Sequence, residues 1–109
     1  NLSRDFTYIQ DITTGLINTL VKDSKNDSLY KLYNIGNGKP VQLLDFIESL
    51  EKALDISAIK NMLPMQAGDV HQTFANTTSL EQDYNYKPQI TVDQGIQEFV
   101  LWYKGYYNK

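Results

Sequence analysis

Apolar positions along the chain recur at helical spacing in some stretches and alternate with polar ones in others, and each change of period marks an element. Ile9, Ile12, Leu16 and Leu20, joined by Ile17 and Val21, line one side of a helix expected over residues 11–22, with Asp11 near its positive end. The polar run 23–28 ends it. Ahead of this helix, the alternating Phe6/Tyr8 run predicts a short strand over residues 6–9, and the Tyr-rich alternation of 29–35 predicts another. Gly36-Asn37-Gly38 reads as a turn, and Pro40 begins a short extended piece. Leu43, Ile47, Leu50 and Leu54 form the stripe of a surface helix over 43–54, with Asp45, Glu48, Glu51 and Lys52 on its other faces. Residues 58–65 read as a strand that loses ladder pairing at Pro64. A short helix over 79–84 follows Asn76 or Thr77 as cap, with Asn85 as a left-handed stop. The last helix is the most fully specified: Thr91 and Gln94 form a capping box, and Val92, Ile96, Phe99, Val100, Tyr103 and Tyr107 make its stripe. Trp102 and Tyr106 lie off that stripe. The pattern as a whole predicts an α/β fold: a small sheet of short strands with flanking helices.

Composition narrows the partners. With 109 residues and 41% hydrophobic content, the chain suits one compact unit spanning residues 1–109. Its net charge is −3 and its basic residues are scattered, which disfavours nucleic acid as a partner. No apolar run approaches the roughly 20 residues that cross a bilayer, so no membrane association is expected, and the polar first residues lack the apolar core of a signal peptide. The absence of cysteine removes disulfides and thiolate metal sites and fits a reducing cytoplasm. Eight tyrosines against four Phe and one Trp suit a boundary between core and water, or a face with a neighbour.

Few residues offer chemistry. Arg4 carries a planar, permanently charged fork that matches diphosphate oxygens; the plainer reading pairs it with Asp5 or another carboxylate. Asp69, after Gly68, is placed to accept hydrogen bonds from sugar hydroxyls or to cap a turn. His71, the one histidine, has no companion at zinc-ligand spacing, and no metal site is expected. There is no Ser-His-Asp order, no Lys-containing phosphate loop and no Tyr-x-x-x-Lys pair, so no catalytic residue is assigned.

Several stretches taken in order resemble one family. Arg4-Asp5-Phe6-Thr7-Tyr8-Ile9, Asp11-Ile12, Tyr33-Asn34-Ile35-Gly36-Asn37, Gln66-x-Gly68-Asp69-Val70, Tyr86-Lys87-Pro88 and Gly95-Ile96-x-x-Phe99-Val100-x-Trp102-Tyr103 look like the C-terminal third of extended short-chain dehydrogenase/reductase sugar-nucleotide epimerases. The form Arg-Asp-Phe-Thr-Tyr and the Gln-x-Gly-Asp-Val run resemble the branch of UDP-glucuronate 4-epimerases and capsular polysaccharide biosynthesis enzymes. Gln10, Ala67, His71, Asn76 and Asn85 depart from the family's usual residues.

The resemblance implies that this chain is a substrate-binding domain, with Arg4 on the diphosphate of a UDP-sugar, Asp69 on its ribose and Gln66 nearby. It also implies that NAD and the catalytic groups belong to an N-terminal Rossmann domain outside this chain, that the parent enzyme is a homodimer, and that the chain alone is inactive. Two alternatives stay open: a 4,6-dehydratase or decarboxylase of the same family, and a free-standing protein-interaction module.

Overall fold

In the computed structural model, residues 2–23 and 28–109 are described. Part of the polar run expected to end the first helix, residues 24–27, lies outside them. The elements are β1 (Ser3–Arg4), α1 (Ile9–Val21), β2 (Val41–Gln42), α2 (Leu43–Leu54), α3 (Thr78–Tyr84) and α4 (Val92–Tyr107).

β1 is the centre of the extended structure. It pairs antiparallel with β2, Ser3 opposite Gln42 and Arg4 opposite Val41. On its other side Ser3 forms a parallel bridge with Gln72. The Ser3 N–H donates to His71 O at 2.9 Å, and Ser3 O accepts from Thr73 N at 3.2 Å. Both edges of this short strand are therefore occupied, which fixes the backbone from which Arg4 projects.

The helices follow the sequence where their ends carry local signals. In α4 the Thr91 hydroxyl accepts from Gln94 N and the Gln94 side chain accepts from Thr91 N, which is the expected capping box. α2 spans the expected residues and packs against α4, with its last carbonyls closed by Asp55 at φ 57°. α3 starts one residue before the expected position and stops at Asn85, left-handed at φ 53° as anticipated. Leu80, Tyr86, Ile96 and Val100 form the buried core, and Phe6 stacks on Phe46 of α2 with ring centroids 3.9 Å apart.

Three strand expectations fail among the described residues. Residues 6–8 form no ladder, and Ile9 is already helical, because Tyr8 caps α1 and its carbonyl accepts from Asp11 N at 3.0 Å. Residues 29–35 and 58–65 form no ladder either. Alternation signals an extended segment with one face to bury; a strand also needs a partner edge, which no periodicity encodes. Among the described residues the sheet has two strands as a result.

Helix α1 departs in a more informative way. Its buried positions are Asp11 and Gly15, whereas Ile9, Leu16, Ile17, Leu20 and Val21 are all exposed, Leu20 by 82%. Gly15 lets Ile35 and the Tyr86 ring approach so closely that an added Cβ would stand 3.0 Å from Ile35 Cδ1. The stripe expected to face the core thus points away from it.

Candidate functional site

The Arg4 side chain lies against a turn that arrives from 65 residues further along the chain. Its Nη1 donates to Ser3 O at 2.9 Å and its Nη2 donates to Asp69 Oδ1 at 2.7 Å. The first bond steadies the fork on its own strand; the second is a charge-assisted contact between side chains that remain 23% and 40% exposed. Arg4 therefore pairs with a distant carboxylate and not with its neighbour Asp5.

Asp69 is set by its turn. Gly68 at φ +87° reverses the backbone, and Asp69 N donates to Gln66 O at 3.2 Å. Asp69 Oδ1 also accepts from Val70 N at 2.8 Å. Gln66, the third expected site residue, closes this turn through its carbonyl and is exposed. The structure thus brings Arg4, Gln66 and Asp69 to one surface. His71 takes part through its main chain alone, as the acceptor for Ser3 N. Among the described residues, no three His, Cys, Asp or Glu side chains gather as a metal-binding group.

Behind Arg4, Asp5 ties the site together. Its N–H donates to Thr73 Oγ1 at 3.0 Å, and its Oδ2 accepts from Gly38 N and Ala75 N, each at 2.9 Å. Asp5 Oδ1 is buried without a hydrogen-bond partner among the described residues. One carboxylate thereby joins β1, the Gly36-Asn37-Gly38 turn and the segment following His71. From the sequence, Asp5 stands out only as a partner for Arg4. The charged pair next to an alternating run was visible, but its long-range backbone acceptor role has no local signature.

Asp11 and Tyr86 complete the support. Asp11, 4% exposed, accepts from Gln89 N and Ile90 N, and the Tyr86 hydroxyl donates to Gly36 O at 2.8 Å. Burial, with the carboxylates of Asp11, Asp5 and Glu81 adding to it, pushes the Tyr86 hydroxyl up to about 12. A separate groove of roughly 380 Å3, almost wholly apolar, lies among Phe6, Tyr8, Phe46, Leu50, Ile96 and Phe99.

What this site can do follows from its charges. A partly open guanidinium held by a strand, beside a carboxylate on a glycine turn, can offer donors to an anion and acceptors to hydroxyls within one ligand's reach.

No family model matches the chain. Individual proteins do. Protein CapI of Staphylococcus aureus is 40% identical over the whole chain, which spans 37% of that protein, and a probable UDP-glucuronate 4-epimerase of Rhizobium meliloti is 38% identical over 99% of the chain and 36% of its own length. Among solved structures, the UDP-glucuronic acid 4-epimerase of Bacillus cereus in complex with UDP-glucuronic acid and NAD superposes with a TM-score of 0.86 at 31% identity, over 97% of this chain and 33% of that one. The chain spans about a third of the length of the relatives it matches.

Fold and sequence alike are similar to those of UDP-glucuronate 4-epimerases. Along its whole length the chain is homologous to a part of UDP-glucuronate 4-epimerases and CapI, about a third of each.

Proposed function

We propose that residues 1–109 are the C-terminal, substrate-gripping domain of an NAD-dependent UDP-glucuronate 4-epimerase and have no catalytic activity alone. The observation that carries this reading is the Arg4–Asp69 contact at 2.7 Å, which joins the two expected ligand-binding side chains on one exposed surface. Arg4 takes the diphosphate with its fixed fork, Asp69 accepts from the ribose hydroxyls, and Gln66 borders the same turn.

The one glycine-containing turn that invites comparison does not fit the pyrophosphate of NAD. In Gly36-Asn37-Gly38, the nearest approach to a glycine-rich loop, the Gly36 Cβ position is filled by Ala75 at 2.4 Å, and the chain continues into extended residues instead of a helix. NAD, which supplies a hydride acceptor when bound, is accordingly assigned to the remainder of the longer protein. The role of this chain is to anchor the nucleotide while the sugar reorients.

The exposed apolar side chains support the same assignment. Leu20 and Val21 of α1, Leu29 and Leu32, and Ile59, Met62 and Leu63 are each at least 72% exposed. In a chain that spans about a third of its relatives' length, the remaining two-thirds are the partner proposed to cover them.

Calorimetric titration with UDP tests the reading. Weak, saturable binding is expected, because part of the pocket lies elsewhere, and Arg4→Ala removes it. UDP binding that persists unchanged in Arg4→Ala contradicts the assignment.

A further inference from the structure

The two halves of the candidate site are not independent. Arg4 is committed at both ends of its fork, Nη1 to Ser3 O and Nη2 to Asp69 Oδ1. Because β1 is bordered on both sides, its backbone cannot follow a ligand, and an incoming anion meets the guanidinium where it stands. That anion must either displace Asp69 from Nη2 or bind the remaining N–H groups beside a carboxylate of like charge. Either course is unfavourable, and both depend on the charge of Asp69.

The carboxylate is nevertheless equipped to take a second kind of ligand group. Oδ1 serves Arg4 and Val70 N, while Oδ2 has no hydrogen bond among the described residues. The turn that carries it is open on one side: nothing lies within 4 Å of the position a Cβ would occupy at Gly68. A ligand presenting hydroxyls along with its phosphates can satisfy Oδ2 and offset the loss at Nη2.

We propose that Asp69 is a specificity-determining residue: it acts as an internal counter-ion to Arg4 that disfavours bare phosphates and admits ligands joining a diphosphate to hydroxyl donors. This rests on the reading of Arg4 as the diphosphate ligand. An exposed ion pair of this kind changes anion affinity by about two- to fivefold.

The test compares inorganic pyrophosphate with UDP, by titration into the wild-type protein, Asp69→Asn, Asp69→Ser and Arg4→Ala, with circular dichroism to confirm folding. Both Asp69 variants keep an oxygen that can accept from Val70 N. The expected result is pyrophosphate affinity raised about two- to fivefold in the Asp69 variants, UDP affinity not raised, and loss of both ligands in Arg4→Ala. Pyrophosphate binding that is unchanged, weaker or undetectable in folded Asp69→Asn and Asp69→Ser overturns the proposal while leaving Arg4 as the UDP ligand. Wild-type affinity for both ligands in Arg4→Ala overturns the reading of the site itself.

Discussion

Asp11 and Ile90, 79 positions apart, are joined by a hydrogen bond from Ile90 N to Asp11 Oδ2 at 3.0 Å, while Oδ1 takes Gln89 N at the same distance. This buried carboxylate pins α1 to the segment that leads into the capping box of α4. Asp11→Ala leaves two N–H groups without their acceptor and is expected to lower stability by about 2–3 kcal/mol. Asp11→Asn, which retains one acceptor oxygen, is expected to lose about half of that. Urea unfolding midpoints check both.

Asp5→Ala removes the acceptor shared by Gly38 N and Ala75 N. Hydrogen exchange is the sharper readout here: those two amides should lose protection ahead of the helices, and UDP binding should weaken because the mount of Arg4 loosens. Unchanged protection at both amides would show that the carboxylate does not hold them.

Two glycine substitutions should act in opposite directions. Gly36→Ala forces a Cβ to within 2.4 Å of the Ala75 Cβ and is expected to destabilise by about 1–3 kcal/mol. Gly105, inside α4 with open space around its Cβ position, should gain up to about 1 kcal/mol from alanine. Thermal unfolding of the pair distinguishes close approach from helix propensity.

Tyr86 gives the structure an alkaline limit. Its hydroxyl ionises at about 12 when folded, against an ordinary value of 10.0, so the unfolded chain loses that proton first. The resulting stability is fully present below pH 10 and is lost as pH rises through 12. Ultraviolet titration should show a late-ionising tyrosine that is absent in Tyr86→Phe.

How much of this was legible varies with the range of the interaction. The capping box of Thr91 and Gln94, the stripe of α2 and the stop at Asn85 are written within a few residues, and the structure follows them. The strands expected over 29–35 and 58–65 depended on partner edges, and the burial of α1 depended on Asp11 meeting residues 89 and 90. Asp11 was legible as a helix-end charge, but its larger role is tertiary. Arg4 and Asp69 could each be singled out from residue type and setting, whereas their meeting could not. The exposed Leu20 face shows the same limit from the other side: a stripe reports that something is to be buried, without naming the surface that buries it.

Mapping backbone amide shifts during titration with UDP-glucuronate shows whether Arg4 and the Gly68-Asp69 turn grip a nucleotide sugar. Saturable shifts concentrated at residues 3–5 and 66–71, abolished in Arg4→Ala, are expected. Shifts confined to the apolar groove around Phe46 and Phe99, or a map that Arg4→Ala leaves intact, would contradict it.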